Sequence, residues 1–417
     1  MQKFFIFLIA LFIVSGVMAQ SAQPCSTCLP QGITFYNQAQ IDNFQTNYPN
    51  CTEIEGGMTI IGSDITNLNG LNVLTSIGGY LWIDDNAALT SLTGLENITS
   101  IGGDLVIYAN NALTSLTGLE NLTSIGGVLD ITYNSALTSL TGLESLTSID
   151  SSLYVKENSS LTNLTGLEGV TTIRGGIEVS LNNALTSLTG LENITSIWGA
   201  LYISDNAALT SLTGMEGLQY IGGALSIGWD WLWEHHGNPL LRNLTGLENL
   251  TSIGGSLSIG DNDALTSLTG LDNINAGSIT NLIINGNPSL STCEVQSICD
   301  YLAYPNGSIE IYDNATGCNS QEEVDSACVY LSNGEVNLEP AFSIYPNPAS
   351  TQITISTPTT PEKNTFMTIY SANGKQLIER QLAEQQMVVD VSWLPQGVYF
   401  VKVADDRTVM VGKFVKN

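Results

Sequence analysis

Positively charged residues are scarce in this sequence, and histidines are scarcer still. The 417 residues include 11 Lys and Arg, 39 Asp and Glu and 2 His, which gives a net charge of −28 at pH 7. So acidic a chain repels phosphate groups, and nucleic acid and anionic membrane surfaces are therefore poor partners. A histidine-based catalytic triad would have to use His235 or His236, and no nucleophile motif accompanies them.

Long apolar runs are absent after Val17. Residues 1–19 combine Lys3, an apolar run and the small-residue pattern Val17, Met18 and Ala19, which predicts a secretory signal peptide. No later stretch approaches the 18 apolar residues of a membrane-spanning helix. The sequence therefore predicts an exported protein whose mature form has no transmembrane segment.

A repeat of 24 residues fills the middle of the chain. One interval is 32 residues long, so eight residues are inserted there. The leucines that mark the repeat are Leu89, Leu113, Leu137, Leu161, Leu185, Leu209, Leu241, Leu265 and Leu290. A period of this length indicates a solenoid, in which each unit stacks on its neighbours to bury one continuous core.

The residues within one unit favour short strands. The apolar positions of the first full unit are Leu89, Leu92, Leu95, Ile98, Ile101, Leu105 and Ile107. Thr and Ile, which separate or form these positions, favour half-buried strands, and Gly94, Gly102 and Gly103 permit corners. The spacing of three also fits a helical side, which glycine and β-branched residues disfavour. We expect a β-helical coil.

Two polar columns follow the same period. The first precedes each repeat leucine by three residues and comprises Asn86, Asn110, Asn134, Asn158, Asn182, Asn206, Asn238, Asn262 and Asn287. Since a buried amide needs hydrogen-bond partners, this column predicts a structural ladder that bonds turn backbone groups. The second is acidic: Glu96, Glu120, Glu144, Glu168, Glu192, Glu216, Glu248 and Asp272. It fits a solvated acidic edge, or a row of weak Ca²⁺ sites or a surface for cationic ligands. We expect no other cofactor.

The insertion concentrates unusual residues. It contains Trp229, Trp231 and Trp233, together with the ligand-type side chains Asp230, Glu234, His235 and His236. An extended loop would place the three tryptophans on one face about 7 Å apart, a spacing that suits stacked sugar rings. A helical loop would place only Trp229 and Trp233 together, and a loop folded onto the solenoid flank would bind nothing. Adjacent histidines are a weak metal signal without a spaced motif.

The cysteines lie only at the two ends of the solenoid: Cys25, Cys28, Cys51, Cys293, Cys299, Cys318 and Cys328. In an exported protein they are disulfide candidates, and the ends of a solenoid need caps. We expect one bridge in the N-terminal cap and two in the C-terminal cap, with one thiol left over. A redox or metal role for Cys25 and Cys28 lacks a second such pair.

The N-terminal cap carries a family resemblance. Residues 50–60, with sequence NCTEIEGGMTI and with Cys28 upstream, resemble the opening of a receptor L domain. Residues 105–110 also fit the LxLxxN core of a leucine-rich repeat. The resemblance implies an all-β fold with a right-handed β-helix and a general habit of extracellular binding. It extends roughly from Cys25 to Cys328.

The last 76 residues show no trace of the repeat. Their alternating strand-like runs and turns predict a small C-terminal β-sandwich. Seven of the eleven cations lie here, while only Lys156, Arg174 and Arg242 oppose 33 acidic residues in the solenoid and caps. These three cations occupy different repeat positions, so no basic substrate cleft is evident.

The last domain carries a second resemblance, to the type A sorting domain of the bacterial type IX secretion system. The residues that carry it are Tyr345, Pro346, Asn347, Pro348, Gly397, Tyr399, Lys413 and Lys416. It implies the secretion machinery as a partner, passage across the outer membrane, removal of the domain, and release or attachment at the cell surface.

These observations predict a secreted or surface-displayed binding or adhesion protein, whose ligand is an extracellular protein or a glycan bound through the tryptophan loop. The expected parts are a signal peptide (1–19), an N-terminal disulfide cap (20–57), the β-solenoid (58–292), a cysteine cap (293–331), a linker (332–341) and the sorting domain (342–417).

Two other functions fit the same sequence. A glycan-cleaving β-helix would use paired carboxylates, but these repeat in every coil and no pair stands out, so we expect no enzyme. Ice binding would use the regular threonine column at Thr90, Thr114, Thr138, Thr162, Thr186, Thr210 and Thr266.

Overall fold

The computed structural model describes residues 27–228, 230–231, 234–332, 342–357, 359–361, 364–372, 375–405 and 409–417. They form two compact units that divide between Leu331 and Ser332. The predicted signal peptide, Cys25 and residues 333–341 of the predicted linker lie outside the described residues.

The larger unit is a solenoid with two parallel sheets, and most coils contribute one strand to each sheet. In the described chain one sheet has twelve strands, mostly of four residues: Ile33–Phe35, Met58–Ile61, Leu81–Asp84, Leu105–Tyr108, Leu129–Thr132, Leu153–Lys156, Ile177–Ser180, Leu201–Ser204, Leu225–Ile227, Leu257–Gly260, Leu282–Asn285 and Ile309–Tyr312. Strands of successive coils pair in register, so that Leu105 lies opposite Leu129. The 24-residue period is therefore the contour length of one coil.

The second sheet has ten strands of two residues in the described chain. They are Thr27–Cys28, Glu53–Ile54, Ser76–Ile77, Ser100–Ile101, Ser124–Ile125, Ser148–Ile149, Thr172–Ile173, Ser196–Ile197, Tyr220–Ile221 and Ser252–Ile253. A third side, represented by residues 113–116, links the coils by single backbone bonds, including the one from the Leu116 N–H to the Thr141 carbonyl at 2.9 Å. Each coil thus closes around three sides, and the predicted β-helix is confirmed.

The apolar positions predicted from the repeat all face the interior. Leu89, Leu92, Leu95, Ile98, Ile101, Leu105 and Ile107 are at most 1% exposed, and their equivalents in the other coils are buried with them. Burying a Leu or Ile side chain stabilises the fold by roughly 2 kcal/mol, so the stacked columns form one continuous core.

The asparagine column is a buried hydrogen-bonded ladder. The Asn134 N–H donates to Asn158 Oδ1 of the next coil at 3.0 Å, and Asn134 Nδ2 donates to the carbonyls of Ile107 at 2.8 Å and Thr132 at 3.0 Å. Tyr133 before it has a φ of 61°, which turns the chain at the end of the strand. The predicted structural ladder is confirmed, and it joins each coil to both neighbours.

The ladder is longer than the repeat indicates. Asn86 Oδ1 accepts the Gly62 N–H at 2.9 Å, and the Asn287 N–H donates to Asn314 Oδ1 at 3.1 Å. Asn314 follows Asn287 by 27 residues, inside the predicted cysteine cap, so the interval of 24 did not identify it. The C-terminal cap therefore begins as a further coil.

Helices occur where the solenoid ends, which the all-β prediction did not include. The helices are Gln38–Asp42, Phe44–Asn47, Gln296–Ala303 and Gln321–Ser332, and 3-10 turns lie at Asn69–Leu71 and Ala276–Ser278. A helix bonds its own backbone and needs no further coil to pair with, so it covers an exposed core end. Ile41 and Phe44 at one end, and Ile298 and Tyr301 at the other, are fully buried.

Disulfides hold both caps. The pairs are Cys28 with Cys51, Cys293 with Cys318, and Cys299 with Cys328. One N-terminal and two C-terminal bridges are thus confirmed, while Cys25 lies outside the described residues.

The smaller unit is the predicted antiparallel β-sandwich. Its described strands form a three-stranded sheet (Ser343–Tyr345, Gln352–Ser356 and Gln386–Asp390) and a four-stranded sheet (Gln376–Gln381, Phe366–Ser371, Gly397–Ala404 and Val409–Lys416, in spatial order). Ile353, Ile355, Met367, Val401 and Phe414 fill the core between them.

Candidate functional site

The coils differ from one another mainly on one surface, the outer face of the twelve-stranded sheet. On most strands the first and third residues are buried and the second points outward, while the fourth ranges from buried to exposed. The second positions read Thr34, Thr59, Trp82, Val106, Asp130, Tyr154, Glu178, Tyr202, Ser226, Ser258, Ile283 and Glu310. Exposure alone does not explain this variety, since the exposed Thr90, Thr114 and Thr138 are constant. The constant positions of the repeat do not indicate this face. The positions at which the repeats differ do.

Aromatic side chains cluster at the N-terminal half of this outer face. Tyr80, Trp82, Tyr108 and Tyr133 are each about 40% exposed. The ring centroids of Tyr80 and Trp82 lie 4.5 Å apart, and those of Tyr108 and Tyr133 lie 5.3 Å apart. The Tyr80 ring rests on Gly57, where a Cβ would lie only 2.4 Å from its Cε1 atom. We call these four residues the aromatic patch.

Carboxylates accompany the aromatic patch. Trp82, Asp84, Val106 and Tyr108 line a shallow depression of about 210 Å³. Partial burial, and secondarily the charge of Asp85, raise the pKa of Asp84. The depression therefore combines aromatic ring faces with the carboxyl group of Asp84, whose charged form is disfavoured by its surroundings.

A second depression lies farther along the same face. It measures about 280 Å³ and is lined by Glu178, Tyr202, Ile203, Ser204 and Ser226. On the N-terminal side Lys156 Nζ lies 3.4 Å from Glu178 Oε2 and 5.0 Å from the centroid of the Tyr154 ring. Aromatic, carboxylate and hydroxyl groups thus alternate along the outer face.

The inserted segment forms a β-hairpin rather than a helix in its described backbone. Asp230–Trp231 pairs antiparallel with Glu234–His235. Trp229 and Trp233 lie outside the described residues, so the predicted row of three tryptophans stays a prediction. The hairpin leaves the solenoid after Gly228, at the rim of the outer face, and returns at His236, whose Nδ1 lies 3.0 Å from Asp205 Oδ2.

An acidic groove runs beside the hairpin along the turns that follow the twelve-stranded sheet. It measures about 650 Å³ and is lined by Leu181, Asn183, Asp205, Ala207, Gly237, Pro239, Asp261, Asp263, Gly286, Pro288, Tyr312 and Asp313. Gly237 lets the returning chain lie against the next coil, since a Cβ there would meet the Asp261 carbonyl oxygen at 1.4 Å. The groove therefore borders the outer face on the side where the hairpin leaves the solenoid.

Each member of the acidic column bonds within its own turn. The carboxylate of Glu120 accepts the Gly118 N–H at 3.0 Å, and Gly118 has a φ of 114°. The same bond recurs for Glu96, Glu144, Glu168, Glu192, Glu216, Glu248 and Asp272. In the described part of the chain no three acidic, histidine or cysteine side chains come together to hold a metal ion. Calcium binding by this column stays a prediction.

The threonine column is also bonded to the backbone. Thr138 Oγ1 donates to the Thr114 carbonyl and Thr162 Oγ1 to the Thr138 carbonyl, each at 3.3 Å. Ice binding stays a prediction, which a thermal-hysteresis measurement tests.

In the smaller unit, two segments that are distant in sequence are bonded together. Asn347 Oδ1 accepts the Val415 N–H at 2.9 Å, and Asn347 Nδ2 donates to the Lys413 carbonyl at 3.2 Å. The peptide bonds before Pro346 and Pro348, on either side of Asn347, are cis. The loop thereby fixes the end of the last strand.

Two further motif residues face inward. Tyr399 stacks on Phe414 with centroids 5.4 Å apart, and its hydroxyl donates to the Pro395 carbonyl at 2.8 Å. Lys416 is 7% exposed, and its Nζ donates to the carbonyl oxygen of Asn417. These residues stabilise the domain from within.

This domain matches a known family over its whole length. Residues 343–417 match the model of the secretion system C-terminal sorting domain. The smaller unit is a type IX sorting domain. The sorting domain identifies the protein as one that is secreted or carried to the cell surface, with the type IX machinery as a partner.

The solenoid matches a second family in part. Residues 50–114 match the model of the receptor L domain, which covers the end of the N-terminal cap and the first coils. The resemblance drawn from the cap is thus confirmed for residues 50–114, while its extension to Cys328 stays a prediction, and it indicates a surface or binding protein. No curated protein matches this chain. Among the described residues, every helix is too short or too polar to cross a membrane.

Proposed function

We propose that the solenoid is an extracellular binding module that takes glycans on the outer face of its twelve-stranded sheet and on the adjoining hairpin. The observation that carries this proposal is the concentration of variation on that face. The exposed threonines of the column that begins at Thr90 repeat almost unchanged, whereas the second position of the strands in the twelve-stranded sheet changes in most coils. Variation concentrated on one face of a regular scaffold is typical of recognition surfaces.

The chemistry of the outer face suits sugars. Trp and Tyr rings offer flat apolar surfaces for the C–H faces of a pyranose, and they keep polar atoms at their edges. Carboxylates such as Asp84 accept hydrogen bonds from sugar hydroxyls, and hydroxyls such as that of Ser204 both donate and accept them. Successive strands lie about 4.8 Å apart, so an oligosaccharide of a few units reaches several coils.

The hairpin extends the same surface. It leaves from Gly228, directly after the strand Leu225–Ile227, and so begins at the rim of the outer face. We assign to its tryptophans the same stacking role as to Trp82 and Tyr108. Loops that project from rigid scaffolds often complete a binding site.

Glycan-array binding by the exported protein tests the proposal. The variant Trp82→Ala/Tyr108→Ala removes two rings of the aromatic patch, and we expect it to weaken binding at least tenfold, since each stacked ring contributes on the order of 1 kcal/mol. A parallel variant, Trp229→Ala/Trp231→Ala/Trp233→Ala, tests the hairpin. The matched control is Tyr304→Ala, because Tyr304 is 85% exposed in the C-terminal cap, away from the outer face.

Unaltered binding in both patch and hairpin variants would rule out the outer face as the site. Repeating the array with calcium and with a chelator tests whether the acidic column contributes, and a reducing-sugar assay on the bound glycans separates binding from cleavage.

A further inference from the structure

The sorting domain exposes an apolar surface on the outer side of its four-stranded sheet. On its last two strands the outward side chains include Val398, Phe400, Val411 and Val415, each about 40% or more exposed. The strand register makes them contiguous, because Val398 lies opposite Val415 and Phe400 lies opposite Lys413. Clustered apolar side chains on a soluble domain mark an interaction surface more often than scattered ones.

Two lysines lie within this surface. Lys402 pairs with Val411 across the strands, and Lys413 pairs with Phe400. We call these six residues, Val398, Phe400, Lys402, Val411, Lys413 and Val415, the lysine-apolar face. Its positive charge contrasts with that of the chain as a whole, whose net charge is −28.

The motif residues of the sorting domain divide according to where they point. Asn347, Tyr399 and Lys416 make internal contacts that hold the domain together. Lys413 points outward, on the same side as Phe400, and is exposed. Folding accounts for the internal residues, whereas recognition by another molecule accounts for an exposed one.

We propose that the lysine-apolar face is the surface by which the type IX secretion machinery recognises this chain, through a partner surface that is apolar at its centre and carries carboxylates. The match of residues 343–417 to the sorting-domain family points to this occupant. A partner surface with carboxylates attracts Lys402 and Lys413 and repels the acidic solenoid, so it selects the tail over the cargo. The inference is independent of what the solenoid binds.

Export of the full chain from a bacterium with a type IX system tests the proposal. Val398→Thr/Val411→Thr/Val415→Thr keeps the β-branched shapes that suit strands but makes the face polar. We expect the exported fraction to fall at least tenfold, and the chain to accumulate in the periplasm. The control for a single site compares Val411→Thr with Val388→Thr, because Val388 is 56% exposed on the three-stranded sheet.

The charge arm replaces Lys402→Gln/Lys413→Gln and compares the result with Lys375→Gln, an exposed lysine on another part of the domain. We expect a severalfold loss of export in the former and none in the latter. Wild-type export of the triple-threonine variant would overturn the proposal. Should thermal melting show that this variant does not fold, the double-glutamine variant decides, and its wild-type export would overturn the proposal equally.

A chain that lacks residues 342–417 separates this proposal from the sorting assignment itself. Persistent export without the domain would refute the assignment. Lost export without the domain, combined with normal export of the face variants, would refute only the lysine-apolar face.

Discussion

The buried asparagine column and the acidic column share the same 24-residue interval, but their hydrogen bonds have different reach. Asn134 bonds to the backbone of the coil before it and to the side chain of the coil after it. Glu120 bonds to Gly118, two residues away in its own turn. Each asparagine therefore couples three coils, whereas each glutamate stabilises one corner.

This difference shows that periodicity alone does not indicate how much each column contributes to stability. Both appear equally regular in the sequence, yet one is fully buried and the other is at the surface. The free energy lost when a hydrogen bond is removed depends on whether the remaining donor or acceptor can bond to water. Groups at the surface can do so, whereas buried groups stay unsatisfied. Substitutions in the two columns should therefore differ in size and in range.

The largest effect is expected for Asn134→Ala. It leaves the Asn110 N–H and the carbonyls of Ile107 and Thr132 without their buried partner. Each unsatisfied buried group costs about 1–3 kcal/mol, so we expect the free energy of unfolding to fall by roughly 4 kcal/mol in urea titrations. Hydrogen exchange should rise in both neighbouring coils.

The control for that substitution is Asn121→Ala. Asn121 Nδ2 also bonds to the preceding coil, at the Glu96 carbonyl at 2.8 Å, but it is exposed. We expect a loss below about 1 kcal/mol, because water replaces the bond. Equal losses for the two asparagines would contradict the view that burial makes the ladder strong.

A smaller but still substantial effect is expected for Gly118→Ala, which tests what holds the corner of the acidic column. Gly118 has a φ of 114°, and a Cβ there would lie 2.2 Å from the Leu92 carbonyl oxygen. A backbone conformation reserved for glycine costs other residues about 1–3 kcal/mol, and we expect the upper end of that range in urea unfolding because of the contact. If the free energy of unfolding falls no more than for a Gly-to-Ala substitution in an ordinary turn, the backbone at this corner can shift to accommodate the Cβ.

The smallest effect is expected for Glu120→Ala. The substitution removes the acceptor of the Gly118 N–H from a hydrogen bond that is only partly buried, because Glu120 is exposed. We expect the free energy of unfolding to fall by less than about 1 kcal/mol, and Glu120→Gln, which keeps an acceptor, to cost less still. A loss as large as that of Asn134→Ala would remove the distinction between the columns.

The fold of the solenoid could be predicted because one coil explains all the others. The same leucines are buried in every coil, and Asn134 bonds as Asn110 and Asn158 do. The ends could not be predicted in the same way, because they occur once each. The helices at Gln296–Ala303 and Gln321–Ser332 cover a core end, and no repeated pattern indicates a structure that is made once.

The candidate site was harder to predict than the fold, for the opposite reason. Trp82 and Tyr108 lie in different coils at different strand positions, and only the sheet brings them together around one depression. The hairpin at Asp230–Trp231 drew attention because it interrupts the period, although the neighbouring strands also carry aromatic groups. A periodic search finds constant positions, whereas binding surfaces lie where the period permits change.

The direction of the asparagine bonds determines how such a chain can change its length. The backbone N–H of each ladder asparagine donates to the side-chain oxygen of the asparagine in the following coil. This acceptor is the same in every coil between the caps. Loss of residues 113–136 would bring Asn110 next to Asn158 with the same partners on both sides. Near-identical repeats in a gene recombine out of register, so whole coils are gained or lost in one step while both caps stay intact. The length of the outer face can thus change between generations in steps of one coil.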